Sequence, residues 1–572
     1  MWSRRTLLSS SAWALATQLA GCGRFAHPDA PLSADDPRIS NPNSPLTIDV
    51  HAHVFNGTDI PVERYITLVR ARTDSRLKGL GEILDYAVSM IAPDGELELT
   101  YLRELNNRGG KRDAKEEASA LQRERHRVEQ YERGVIALKE GLANRQRTLR
   151  SLAARADDRE LVDAINNLPD RYEKNRKYRR QLRAGSSEID AVLNFALKQF
   201  NYRYVNTFDY LEEYGANTTR KADLVLCHML DFDWALSKGR PPRTSVGQQI
   251  DLMEQLSILS GGRVHGYAPF DPYKQVAFGL GLTSEDSLGL VQSAVLRKGH
   301  IGVKMYPPMG FAPYGNEGKT TSFWDKPWIA DTLKQPDLGR RLDGVLMRLY
   351  AWCIEHEVPI MAHTAPSNMP DATFCWATDP ARWQDFPVSG LRVNFGHFGD
   401  TELGLDGNLE LTRGYVGLMS AEGTRGANFY ADSAYFTDAV RGSGDLKSQL
   451  AALFQMTKPK GSASLANRLM YGSDWEMLLI EPGNTAAYLR NFERLFAEYD
   501  NSGSLGTTGR ISDAFFGRNA ARYLGLLDAN SLGRKRLDDF YTFNGIQKPL
   551  WAKKVDCLRG CRAEDRLALN QP

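Results

Sequence analysis

The segment Asp49-Val50-His51-Ala52-His53 places a carboxylate and two imidazoles at alternate positions. Alternate residues of a strand share a face. His51 and His53 are therefore expected to project together from the end of a short buried strand, with Asp49 one step behind them. Two neutral imidazoles side by side are half of a zinc-type site. A carboxylate one step back can accept a ligand's second N–H and fix its tautomer. Taken alone, His-x-His is better explained as two ordinary polar residues near a loop. Its weight comes from recurrence. His363, His397 and Asp474 each stand near the end of a later apolar run, and Lys304 lies on another. The chain has only 10 histidines, and four of them fall in this set, a concentration that packing does not explain.

Eight apolar runs can position these residues: 45–55, 223–230, 263–270, 301–308, 358–364, 391–399, 428–433 and 468–475. Helical patterns at 248–259, 284–297 and 338–355 separate some of them. Buried strands alternating with helices predict a parallel sheet. Eight such units predict an α/β fold of the closed (β/α)8, TIM-like type, in which working residues sit at the C-terminal ends of strands. An open doubly wound sheet is the alternative, but no Gly-rich nucleotide loop follows the first strand.

A long charged helical insertion, residues 70–221, separates the first strand from the second. Leu121, Val128, Val135, Leu142 and Leu149 recur every seven residues, with Tyr131, Leu138 and Leu152 in the fourth place. That spacing predicts a coiled-coil-like seam or a helix laid on a neighbour, with Gly134 and Gly141 weakening a free coiled coil. The simpler expectation is a helical hairpin packed on its own domain. A lid, or an arm for a protein partner, is the other. His126 lies off the seam. A second amphipathic run, 189–214, returns the chain to the barrel.

The 572 residues carry 72 basic and 70 acidic side chains, net +2. That balance gives no case for nucleic-acid binding, and no internal segment approaches ~18 apolar residues. At the N-terminus, Ser3-Arg4-Arg5-Thr6-Leu7-Leu8 resembles a twin-arginine export signal. Leu19-Ala20-Gly21-Cys22 resembles a bacterial lipobox, which implies lipidation at Cys22 after removal of the signal. The expected organisation is a signal over 1–22, a Pro- and Ser-rich tether over 23–44, the barrel over 45–526 and a charged tail over 527–572. The expected location is the bacterial cell envelope, periplasmic and lipid-anchored to a membrane.

The chain resembles the amidohydrolase superfamily, and within it the branch that includes aminocarboxymuconate-semialdehyde decarboxylase. The resemblance is carried by Asp49-Val50-His51-Ala52-His53, Gly302-Val303-Lys304-Met305-Tyr306-Pro307-Pro308, Ala362-His363, Gly396-His397-Phe398-Gly399 and Tyr471-Gly472-Ser473-Asp474-Trp475, and by the closing run Phe516-Gly517-Arg518-Asn519-Ala520-Ala521-Arg522-Tyr523-Leu524-Gly525. Glu476 departs from the branch, which often has proline there. The resemblance implies a divalent metal, zinc first, held by His51, His53, His363 and Asp474. It implies that Asp474 takes a proton from an activated water and that His397 polarises the substrate or shuttles a proton. Lys304 is implied as a binder of a substrate anion or, once carboxylated, as a metal bridge; a snorkelling lysine is the plain alternative. Tyr306, Trp475, Phe311 and Tyr314 are candidates for lining a small-molecule pocket.

Three functions remain open at this point: a metal-dependent hydrolase of C–N or C–O bonds, a nonoxidative decarboxylase of a cyclic or aromatic acid, and a lipid-anchored scaffold with a helical interaction arm. His228, His265, His300 and His356 read as structural, with His228 and His265 within reach of a pocket. Cys227, Cys353 and Cys375 read as buried thiols. Cys557 and Cys561 form either a disulfide or two free thiols.

Overall fold

The computed structural model describes residues 34–73, 77, 79–107, 116–149, 157–168, 188–384, 386–387, 389–399, 409–421, 428–441, 445–457, 464–481, 484–503 and 510–558. Residues 1–33 and 559–572 lie outside this set, and with them the export signal, Cys22 and Cys561.

Eight parallel strands pair in sequential order: β1 (Ile48–Ala52), β2 (Leu224–His228), β3 (Val264–Pro269), β4 (Gly302–Met305), β5 (Ile360–His363), β6 (Val393–Gly396), β7 (Phe429–Asp432) and β8 (Leu469–Met470). The ring closes between β8 and β1. Val50 N–H donates to Tyr471 O at 3.0 Å and Asp474 N–H to His51 O at 2.7 Å, and Ala52 bridges to Trp475 in parallel. Each predicted strand has its counterpart, but shorter. Apolar flanks that resemble strand in the sequence pack as turns: Pro307 and Pro308 open a 3-10 turn just after β4, and the regular strand of β8 is only Leu469–Met470. Every strand residue is buried, as expected for a parallel sheet covered on its outer face and filled within.

The N-terminal end of the barrel is sealed by its own core. Ile48, Val50, Leu226, Tyr267, Met361 and Met470 meet Ala520, Leu537 and Trp551. The last two come from helices Leu532–Phe543 and Leu550–Leu558 of the tail. Trp551 Nε1 donates to Gly262 O at 2.8 Å. Residues 34–44, expected as tether, are instead fastened to the barrel: Ile39 is buried, and Arg263 donates to Ile39 O at 2.9 Å and to Ala34 O at 2.7 Å.

The insertion is helical, starting at Val62 rather than 70. Its long helix Glu116–Leu149 buries Tyr131, Val135, Leu138 and Leu142 against its own domain, as the seam predicts. The side chains of Leu121, His126, Leu149 and Leu152 lie outside the described set. Gly134 is a point of close approach rather than of weakness: a Cβ there would lie 2.8 Å from Leu197 Cδ2 and 2.9 Å from Phe200 Cδ2. The second amphipathic run divides into helices Glu188–Lys198 and Arg203–Tyr214. Arg203 ties two insertion helices to the loop after β1, pairing with Glu98 at 2.6 Å and with Asp59 at 2.5 Å, with all three side chains buried. No helix among the described residues is long and apolar enough to cross a membrane.

Candidate metal centre

The end of β1 and the turn after β8 bring three side chains to one point in the barrel mouth. His53 Nε2 lies 3.1 Å and His51 Nε2 3.4 Å from Asp474 Oδ1. One donor atom from each of His51, His53 and Asp474 falls within 4.8 Å of the other two, and all three residues are buried.

The surrounding hydrogen bonds fix which nitrogen is available. His53 Nδ1 lies 2.7 Å from His228 O. A carbonyl only accepts, so Nδ1 carries the proton and Nε2 keeps its lone pair. His51 Nδ1 lies 3.0 Å from Asp432 Oδ2 and donates to it, leaving Nε2 bare. Burial, reinforced by the charge of Lys304 and by neighbouring imidazoles, holds His51 well below the usual histidine range, which keeps it neutral. His51 Nε2 and Asp474 Oδ1 are buried atoms with no hydrogen-bond partner. Two orphaned acceptors facing one another are costly unless something positive joins them. The donor set of two imidazoles and a carboxylate therefore fits a divalent cation of the zinc type.

His363 stands beside this group but outside the trio. His397 Nδ1 lies 3.2 Å from Ala434 O and must donate to it. His397 Nε2 then accepts from His363 Nδ1–H at 3.0 Å. That relay leaves the lone pair of His363 on Nε2. Burial draws His397 down to about 4, so the pair is neutral. In this arrangement His397 orients His363. Tyr306 stacks on His363 with ring centroids 4.3 Å apart and meets Phe232 edge-on.

The backbone is bent to present these groups. Asp474 and His397 hold φ of +56° and +64°, a left-handed conformation uncommon outside glycine. Gly472 admits the close passage of the two strand ends, since a Cβ there would lie 2.9 Å from the Cβ of His51.

Some sequence-predicted roles change. Asp49 does not orient a ligand. One of its oxygens accepts the backbone N–H of His51 (3.1 Å) and of Ser473 (3.0 Å), and the other accepts the hydroxyl of Tyr210. Asp49 sits a layer below the imidazoles, where backbone rather than ring N–H is in reach. The orienting carboxylate is Asp432, at the end of β7. It also receives Asn394 Nδ2 at 2.7 Å, His397 N–H at 2.9 Å and Ala434 N–H at 3.1 Å. The strand-end rule that picked out Asp474 would have found it. Trp475 is fully buried against Tyr210 of the insertion, centroids 5.1 Å apart, and so packs rather than lines an open rim. Phe311 is likewise buried, edge-on to Tyr273. His228, read as structural, stands in the lumen with its ring 4.8 Å from that of His51. His265 is structural, bridging Gly299 O and Tyr541 OH. Cys375 is exposed, not buried.

Lys304 is buried in the same lumen. Its Nζ lies 3.0 Å from Met361 Sδ, and burial draws it down to about 7 against the pull of Asp474 and Asp432. Arg70, from the start of the insertion, is near enough for its charge to be felt by Tyr65, Tyr306 and Tyr435, and Asp474 is felt by the same three hydroxyls.

An eight-stranded parallel barrel with a His-His-Asp cluster at its C-terminal rim is of the class whose working residues stand at the strand ends. Residues 327–526 match the family model described as Amidohydrolase. The matched region supplies β5 to β8 with His363, His397, Asp432 and Asp474. His51 and His53 lie before it. Similar solved structures include an uncharacterised TIM-barrel protein from Bordetella bronchiseptica, 14% identical, covering 58% of this chain and 84% of that one with a TM-score of 0.33. A probable 2-pyrone-4,6-dicarboxylic acid hydrolase from Acinetobacter baumannii is 13% identical, covering 56% and 88%, with a TM-score of 0.30. The 5-carboxyvanillate decarboxylase LigW from Sphingomonas paucimobilis is 12% identical, covering 53% and 79%, with a TM-score of 0.30. No curated protein matches the chain.

Proposed function

We propose that the chain is a metal-dependent hydrolase of the amidohydrolase type, acting on a C–N or C–O bond of a small anionic substrate, with one zinc held by His51, His53, Asp474 and His363. The observation that carries this reading is the buried meeting of His51 Nε2, His53 Nε2 and Asp474 Oδ1, two of them without any hydrogen bond. A bound divalent cation would supply Lewis acidity and make hydroxide available near neutral pH.

The chain's own groups divide the remaining work. Asp474, with Oδ1 turned to the two imidazoles, takes the proton of the attacking water on its other carboxylate oxygen and passes it to the leaving group. His397 sets the tautomer of His363, and reaches substrate only when that hydrogen bond opens. Tyr306 covers one face of His363. Arg70 brings positive charge to the rim, and Lys304, drawn down to about 7 by burial, adds a partial one in the lumen; together they favour a substrate bearing a carboxylate. The pattern of residues 1–22 supports export and anchoring through Cys22, and Cys22→Ser should abolish incorporation of labelled fatty acid.

The test is metal analysis followed by product analysis. The purified protein is expected to hold zinc stoichiometrically and to open carboxylated lactones or cyclic amides. Carbon dioxide release from aromatic acids, with no hydrolytic product from the first panel, would overturn the hydrolase in favour of a decarboxylase. Absence of stoichiometric metal would overturn both and leave the scaffold.

A further inference from the structure

We propose that the helical insertion is a clamp on the metal centre, with Tyr210 and Gln199 as its positioning residues; this rests on the metal reading above. The insertion enters the barrel mouth at two points, one on each side of the segment that bears Asp474.

At the first point, helix Arg203–Tyr214 is buried along nearly its whole length, and Tyr210 donates its hydroxyl to Asp49. The other oxygen of Asp49 receives the N–H of His51 and of Ser473. One carboxylate therefore ties together β1 at a ligand, the turn after β8 next to another ligand, and the insertion. His51 and Asp474 are 423 residues apart in sequence, so their spacing depends on such cross-links. At the second point, Gln199 Nε2 donates to Glu476 Oε2 at 2.9 Å, two residues beyond Asp474, with Glu476 fully buried. Trp475, between the two points, is pressed against the ring of Tyr210. Arg203, paired with Asp59 and Glu98, fastens the same helix to the loop after β1. The segment from Ser473 to Glu476 is thus held at one end through Asp49, which Tyr210 binds, and at the other directly by Gln199, and the carboxylate of the donor set lies between the two.

Neither Tyr210 nor Gln199 belongs to the donor set, so each acts through another residue. Removing the Tyr210 hydroxyl should leave the fold intact and loosen the relation between His51 and Asp474. The experiment uses full-length zinc-loaded protein with a chromophoric chelator in excess. Tyr210→Phe and Gln199→Leu should each release zinc about tenfold faster than wild type, in the range of outer-sphere substitutions at metal sites, with metal-free melting lowered by only a few degrees, the cost of one lost donor to a buried carboxylate. Tyr214→Phe is the control. Tyr214 lies on the same helix, is equally buried, and its hydroxyl has no hydrogen-bond partner, so zinc release should match wild type. Equal release rates for wild type, Tyr210→Phe and Gln199→Leu would overturn the clamp and leave the metal reading standing. A fall in metal-free melting temperature that accounts for the faster release would also overturn it, making these residues general packing. Wild-type protein that holds no zinc would sink both proposals.

Discussion

Asp432→Asn is a test of whether the His51 tautomer governs the site. The carboxylate of Asp432 accepts four hydrogen bonds. Oδ1 faces the backbone N–H of His397 at 2.9 Å and of Ala434 at 3.1 Å, neither of which can turn. Oδ2 faces Asn394 Nδ2 at 2.7 Å and His51 Nδ1 at 3.0 Å. The new amide must keep its oxygen toward the fixed backbone donors and direct its NH2 toward the other two. Asn394 can answer by rotating, because its own Oδ1 is buried without a partner and would become the acceptor. His51 can answer only by shifting its proton from Nδ1 to Nε2, the atom that faces Asp474. The metal-ligating lone pair is then lost.

Metal affinity is expected to fall by about 10- to 100-fold, or about 1.4 to 2.8 kcal/mol. The metal-free protein should change little, within about 1 kcal/mol, because the new Nε2–H can donate to Asp474 Oδ1, which has no other donor. The assay is competition for zinc against a chelator, beside thermal melting of the metal-free form and nitrogen NMR of the imidazole tautomers. A variant that binds zinc within about twofold of wild type would refute the tautomer reasoning. So would a variant that unfolds, since the carboxylate would then be holding the barrel rather than the ligand.

Three other perturbations have defined outcomes. Gly472→Ala inserts a Cβ 2.9 Å from that of His51 and 3.3 Å from that of Asp432; it should cost about 1–3 kcal/mol in urea unfolding and weaken zinc binding, and an unperturbed variant would mean the strand ends can part freely. Arg203→Met leaves the buried carboxylates of Asp59 and Glu98 without their cation; a loss of about 3–5 kcal/mol is expected, with proteolysis starting inside the insertion, and a loss below about 1 kcal/mol would show that these pairs do not anchor it. His265 is drawn down to about 4 by burial, against 6.5 when unfolded. A depressed base gives stability that is complete above its unfolded pKa and is lost as pH falls toward the folded value. His265→Gln should therefore be less acid-sensitive than wild type between pH ~6.5 and ~4, and parallel pH curves for the two proteins would reject that assignment.

The barrel was legible because its signal is local. Buried runs of four to eight apolar residues mark strands whatever lies between them, and the period of two points His51 and His53 the same way. The partners of those rings were not legible. Asp49, two residues from His51, is the natural choice from sequence, yet the carboxylate that receives His51 Nδ1 lies 381 residues away. The choice turns on which layer of the barrel each side chain occupies, and that depth is set by the register between strands, here Asp49 opposite Val225 and Asp432 opposite Met470. The insertion concealed more for the same reason. Its heptads foretold a packed helix, but a tyrosine on a buried helix carries no mark of the aspartate, 161 residues earlier, that it will meet.

The centre draws on segments of different standing. The region that matches the Amidohydrolase model supplies His363, His397, Asp432 and Asp474, while His51, His53, Asp49 and Tyr210 all lie before it. A donor set completed only when β1 closes on β8 exists only in the finished ring, because neither half of the barrel holds both His51 and Asp474. Asp49 is where that closure is chemically tied, through Ser473 on one side and Tyr210 on the other. An insertion placed between β1 and β2 is well sited to act there: its last helix meets Asp49 of β1 and Trp475 after β8 through Tyr210. A structural part at the closure of the ring gives the end of the insertion, helix Arg203–Tyr214, a defined task.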